Sequence, residues 1–185
     1  MLHVLLFALV LLAIGVAVYF LIIYNQFIRL QKEIEKARAN IDVILKQRHD
    51  ELGKLIEVCK GYMKYERSVL ERLTKLRMAW ARAKTWEKKL EISNEISRAL
   101  KTLFALAERY PKLKAVKTFS HLQSRISGLE TELADRREYY NDVVTSFNAK
   151  LEYFPDKLIA KLLKLRPRKL LEIPEVEKEE VKIKF

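Results

Sequence analysis

The sequence predicts an all-α protein: an N-terminal transmembrane helix continuous with an antiparallel helical bundle of about four long helices. Three observations carry this. The chain opens with a run of twenty residues free of charge, and apolar residues then recur at spacings of three and four. Glycine and proline number only four each in 185 residues, too few for the turns of a many-stranded β protein.

The opening run, Val4 to Ile23, reads VLLFALVLLAIGVAVYFLII. At the helical rise of 1.5 Å per residue, about twenty residues cross the roughly 30 Å hydrocarbon core of a bilayer. Gly15-Val16-Ala17 loosely resembles a signal-peptidase site. The run is nonetheless longer than the apolar region of a cleaved signal peptide and lacks a basic stretch before it, so residues 1–23 read as an uncleaved signal-anchor. Arg29, Lys32, Lys36 and Arg38 follow the run, while only the amino terminus and His3 precede it. Positive charge stays on the cytoplasmic side, which predicts a single-pass protein with its N-terminus outside and its bundle in the cytoplasm. Tyr19 and Tyr24 suit the aromatic belt at the exit.

Residues 24–154 form the expected bundle. No breaker follows Tyr24, so the first soluble helix continues the membrane helix, with Ile34, Ala37, Ile41 and Ile44 or Leu45 on its apolar stripe. Arg48-His49-Asp50-Glu51 interrupts the stripe and Gly53 follows, which predicts a turn or kink near residues 49–53. Periodicity does not decide whether residues 24–82 make one bent helix or two. The stripe resumes with Leu52, Leu55, Ile56, Cys59, Met63, Val69 or Leu70, Leu73 and Leu76. A third stripe, Leu90, Ser93, Ile96, Leu100, Leu103, Ala107 and Tyr110, must stop where Pro111 forbids helical geometry in the residue before it. The last and longest stripe holds a coiled-coil heptad from Phe119 through Leu122, Ile126, Leu129, Leu133, Arg136, Tyr140, Val143 and Phe147 to Phe154, ending before Pro155.

Catalytic chemistry finds little to use. Once the anchor is subtracted, about 160 residues remain, room for one ordinary domain. His3, His49 and His121 lack a second ligand at helical spacing, and Cys59 is the only cysteine, so no metal site is expected. His49-Asp50 resembles the dipeptide of metal-dependent phosphohydrolases but lacks their further ligands, and reads as a polar turn. Glycines at 15, 53, 61 and 128 cannot assemble a phosphate-cradling loop. Cys59 lies on an apolar face, where a thiol behaves as a small hydrophobe. The expectation is a protein that is not an enzyme and binds no cofactor.

Two polar features remain. The heptad turns Arg136 toward the core, where it either joins a buried network with Asn40, Asp42 or Asp50, or lays its stem over the core and solvates its head. The candidate interaction residues are Asn40, Asp42, Arg48, Asp50, Arg136, Arg137, Tyr139, Tyr140 and Asn141. The second feature is a basic amphipathic segment over residues 155–171, in which Leu158, Ile159, Leu162, Leu163 and Leu165 interleave with Lys157, Lys161, Lys164, Arg166, Arg168 and Lys169. Such a segment lies in a membrane interface, each cation worth about 1 kcal/mol near anionic head groups; alternatively its leucines pack on the bundle or on another subunit. The net charge of +12 is thereby assigned to lipid, and no nucleic-acid partner is expected. Residues 172–185, with mixed charge and Pro174, read as a disordered tail.

The order of several short motifs resembles the LemA family of bacterial and archaeal membrane proteins. They are Tyr24-Asn25, Asn40-Ile41-Asp42-Val43, Arg48-His49-Asp50, Lys60-Gly61-Tyr62, Leu103-Phe104-Ala105-Leu106-Ala107-Glu108, Tyr110-Pro111, Leu122-Gln123, Tyr139-Tyr140-Asn141-Asp142, Phe154-Pro155 and Leu158-Ile159-Ala160. The resemblance runs from Tyr24 to Glu172 and departs at Gly53, where the family pattern carries proline, so the expected break there loses that support. It implies the same anchor and bundle, no established catalytic residues, and a connection in some members with intracellular membrane compartments and in others with membrane proteases. The function expected on these grounds is a non-enzymatic membrane scaffold that self-associates and organises or remodels membrane, with the lipid bilayer and other copies of itself as partners. The alternative is a membrane-tethered adaptor for an integral-membrane partner such as a protease, with the Arg136 to Asp142 region as its docking surface.

Overall fold

The computed structural model describes residues 1–63 and 65–172. Among these are six helices and no strand: α1 Leu2–Tyr62, α2 Arg67–Arg82, α3 Trp86–Ala107, α4 Pro111–Lys114, α5 Lys117–Glu152 and α6 Asp156–Leu162. The four long ones make the predicted helical bundle. Beyond Glu172, the expected disordered tail lies outside the described residues. Two compact units are distinguishable, one of residues 1–39 with 138–171, the other built on residues 40–137.

The expected turn at residues 49–53 is absent, because α1 runs unbroken through it. The charged interruption is only apparent: Arg48 is itself on the buried stripe at 2% exposure, between buried Leu45 and Leu52. A lone mid-helix glycine is weakly unfavourable, about 1 kcal/mol against alanine, and does not stop a helix whose apolar face continues. The space beside Gly53 is taken by the movable end of a long side chain. A Cβ there would lie 2.8 Å from the Arg77 guanidinium, whose Nε donates to the His49 carbonyl at 3.4 Å. The break falls between Tyr62 and Arg67, where the apolar spacing jumps from buried Met63 to half-buried Val69 and leaves more than a turn without a core residue.

Thr85 caps α3, its hydroxyl accepting from the Lys88 amide at 3.3 Å. The helix ends at Ala107, and Pro111 opens α4 at a position that needs no amide donor. The second unit closes around Leu52, Leu55, Cys59, Leu73, Leu103 and Leu113, each fully buried. α5 stops at Glu152, so Phe154 falls off the stripe that was extended to it and is 83% exposed. Pro155 excludes helical geometry in its predecessor, and the heptad cannot be carried across it.

Candidate membrane-contact site

α1 contains the one described helix long and apolar enough to cross a membrane. From Leu2 to Ile22 its side chains are exposed apart from half-buried Phe20. Burial begins with Ile23 and is complete at Phe27, whose ring meets Phe147 edge to face with centroids 6.1 Å apart. At this level the start of α6 returns to the apolar run. The Tyr19 hydroxyl donates to Asp156 Oδ1 at 3.3 Å, and Lys150 Nζ pairs with Asp156 Oδ2 at 2.7 Å and donates to Gln26 Oε1 at 2.5 Å. The carboxylate is thus neutralised and covered. Gln26, Arg29, Thr145, Lys150 and Tyr153 line a neighbouring groove of about 620 Å³.

Sequence reasoning offered residues 155–171 as one amphipath, but the helix is short. α6 closes after Leu162 with Lys164 in the left-handed region at φ 53°, its amide donating to Lys161 O while the Leu165 amide donates to Ala160 O. This is the hydrogen-bond pattern in which glycine usually stands. The chain then runs irregularly along α5, held by two asparagine side chains. Asn148 exchanges a pair of hydrogen bonds with the Arg168 backbone, both 2.8 Å, and Asn141 does the same with Leu171 at 2.9 and 2.7 Å. Seven residues of helix advance about 10 Å and three residues of extended chain about the same, so both clamps engage at once in antiparallel register. Asn141 was among the sequence candidates and Asn148 was missed, although two asparagines seven apart share one helix face. Lys157, Lys161, Lys164, Arg166, Arg168 and Lys169 are all exposed, as are Leu158 and Leu162.

The other sequence candidates are distributed differently. Arg136 is exposed and pairs with Glu132 one turn back at 3.3 Å, while its neighbour Arg137 is buried at 2% exposure and donates to Asn94 Oδ1 at 2.7 Å. The heptad reading therefore erred by one residue: the buried spacing passes from Leu129 to Leu133 to Arg137, two steps of four, which an α-helix of 3.6 residues per turn accommodates. Arg48 is held by Glu130, by the Ser93 carbonyl at 2.5 Å and hydroxyl at 2.6 Å, and by the Ser97 hydroxyl at 2.8 Å. Ser97 donates in turn to the other Glu130 oxygen at 2.8 Å. Ser93 stood on the third apolar stripe and is fully buried there, whereas Asn94, Ser97 and Glu130 were not singled out, because polar residues one turn apart look like a solvated face until a buried arginine is known to need them. Asn40 and Asp42 are half-buried, Asp50 is exposed and contacts His49 at 3.2 Å, Tyr139 is exposed and Tyr140 is buried.

Among the described residues no group of three His, Cys, Asp or Glu side chains is arranged to hold a metal. Burial pushes the Cys59 thiol up to about 12, far from an activated nucleophile. Loss of solvent and the nearby Glu66 carboxylate, 3.5 Å from the phenol, likewise raise Tyr110.

The LemA family profile matches residues 37–185. The chain belongs to the LemA family. It is 29% identical to Protein LemA of Metamycoplasma hominis over 85% of this chain and 72% of that one. It is 21% identical to Magnetosome protein MamQ 2 of Paramagnetospirillum magneticum and 19% identical to Magnetosome protein MamQ of Magnetospirillum gryphiswaldense. It spans 60% and 58% of the length of those two relatives. LemA family membership, relatives of this kind and the apolar α1 segment fit a membrane-associated protein.

Proposed function

We propose that this LemA family protein is a non-enzymatic, single-pass membrane scaffold that self-associates and organises or remodels the bilayer. Its N-terminus lies outside and the rest of the chain in the cytoplasm, as the basic residues from Arg29 to Arg38 favour. One observation carries the reading: the Tyr19 to Asp156 hydrogen bond brings the basic segment back to the apolar run. A protein with one anchor and a cationic strap beside it contacts the bilayer twice, and anionic head groups are the natural counterpart of six exposed cations. The magnetosome relatives support a task in membrane organisation.

A second reading, an adaptor for an integral-membrane partner such as a protease, draws on Tyr139, which is exposed on α5 beside exposed Glu138 and Asp142. Light scattering on the detergent-extracted protein, followed by electron microscopy of anionic liposomes carrying it, separates the two. A defined oligomer that tubulates or constricts liposomes is the result expected. A monomer that leaves them round overturns the scaffold and favours the adaptor.

A further inference from the structure

The exposed side chains around the start of α6 are apolar to a degree a water-facing helix end does not require. Tyr153 is 64% exposed, Phe154 83%, Leu158 59% and Leu162 70%. Leu158 and Leu162 are one turn apart and share a face of α6. Exposed apolar side chains gathered around one turn mark an interaction site, and the contact of that turn with the apolar run of α1 points to the occupant.

Tyr19 stands four residues inside the end of the apolar run, about 6 Å at the helical rise, and side chains lean toward a helix N-terminus, here into the bilayer. Asp156 accepts from the Tyr19 hydroxyl at 3.3 Å, so the first turn of α6 lies beside the last turns of the apolar run. A bare carboxylate would resist that position. This one is paired with Lys150, and both side chains are covered, at 12% and 16% exposure. Phe154, two residues before Asp156, is exposed beside this contact.

We propose that the α5 to α6 turn is a wedge embedded in the acyl-chain region of one leaflet. Tyr153, Phe154, Leu158 and Leu162 contact lipid chains, and Lys157 and Lys161 reach back to the phosphates. The inference rests on reading α1 as a membrane span. It adds that the protein displaces lipid beside its span in one leaflet only, an asymmetric insertion that favours curvature.

Nitroxide labels on the full-length protein test it, in nanodiscs of phosphatidylcholine and phosphatidylglycerol in equal parts. Cys59 is buried, so cysteines introduced by Phe154→Cys, Leu158→Cys, Leu21→Cys and Met78→Cys are labelled selectively. The expected result is an oxygen-to-nickel accessibility ratio at 154 and 158 that matches Leu21 in the span and exceeds Met78 in the bundle. Labels at 154 and 158 that match Met78 while Leu21 is embedded overturn the wedge and leave the anchor standing. An aqueous label at Leu21 overturns both. As a check independent of labelling, Phe154→Asp with Leu158→Glu abolishes tubulation of vesicles of that composition if the wedge acts, with the helical circular dichroism spectrum unchanged.

Discussion

In residues 40–137 the large apolar side chains turn inward and two arginines sit among them, whereas in residues 1–39 with 138–171 a few residues are buried and most of the apolar surface faces out. The first arrangement is self-sufficient. Leu55, Leu73, Leu103 and Leu113 are fully buried, and the charge of Arg48 is met by Glu130, Ser93 and Ser97. The second buries Phe27, Phe147 and Val144 but leaves Leu5, Phe7, Leu12, Leu21 and Phe154 more than half exposed, which fits a membrane-associated protein. Their buried ions differ accordingly. Arg48 is fixed within a helical core, whereas Asp156 ties a surface turn to the apolar run of α1.

The sharpest way to break this contrast is Arg48→Ala, which strips the partner from Glu130 and from two serines. Glu130 is 28% exposed and can be partly solvated, so the loss is that of the charge-assisted hydrogen bonds to Arg48, about 1.5–3 kcal/mol each, and urea unfolding in mild detergent should show a loss of about 3 kcal/mol. A loss no larger than that of a surface substitution would mean that the cluster does not hold the bundle.

Cys59 sharpens the inward side. With its thiol raised to about 12, the thiolate at pH 8 is scarcer than in the unfolded chain by about a thousandfold, so a disulfide reagent should react with one thiol per chain only after denaturation. The sign for stability follows from the raised folded value. The neutral thiol favours the folded state fully below the ordinary value of 9.0, and that contribution is lost as pH rises toward the folded value.

Leu103→Ala should cost about 2–5 kcal/mol in the same unfolding assay, while Leu158→Ser should stay within about 0.5 kcal/mol in detergent. Equal effects would erase the distinction between a core leucine and an exposed one. Lys164→Gly relieves a left-handed residue and should add about 1 kcal/mol, seen as a raised melting temperature. Arg136→Met, which removes only an exposed i to i+4 pair, should change stability by less than about 0.5 kcal/mol, against a clear loss for Arg137→Met.

Much of this fold is legible in the chain itself. Twenty uncharged residues, a three-and-four spacing, Pro111 and Pro155 give the span, the helical class and two helix ends, because backbone geometry and the transfer of apolar groups out of water act locally on the pattern. The boundary at residues 49–53 was misjudged because charge along a stripe reads as solvent exposure, and nothing in Arg48-His49-Asp50 announces that Ser93, Ser97 and Glu130 come to meet the arginine.

For the same reason the heptad favoured Arg136, while the tertiary structure decided for Arg137, whose buried setting includes Asn94 from another helix. The basic residues 157–169 were visible as a composition. Their course was not, since it depends on Asn141 and Asn148 clamping an irregular segment and on Asp156 meeting Tyr19, 137 residues earlier. Sequence alone determined the helical class, the apolar run and most of the apolar stripe on each long helix. Tertiary structure alone decided which charges are buried and which apolar residues of α6 stay exposed, because both depend on partners distant in the chain.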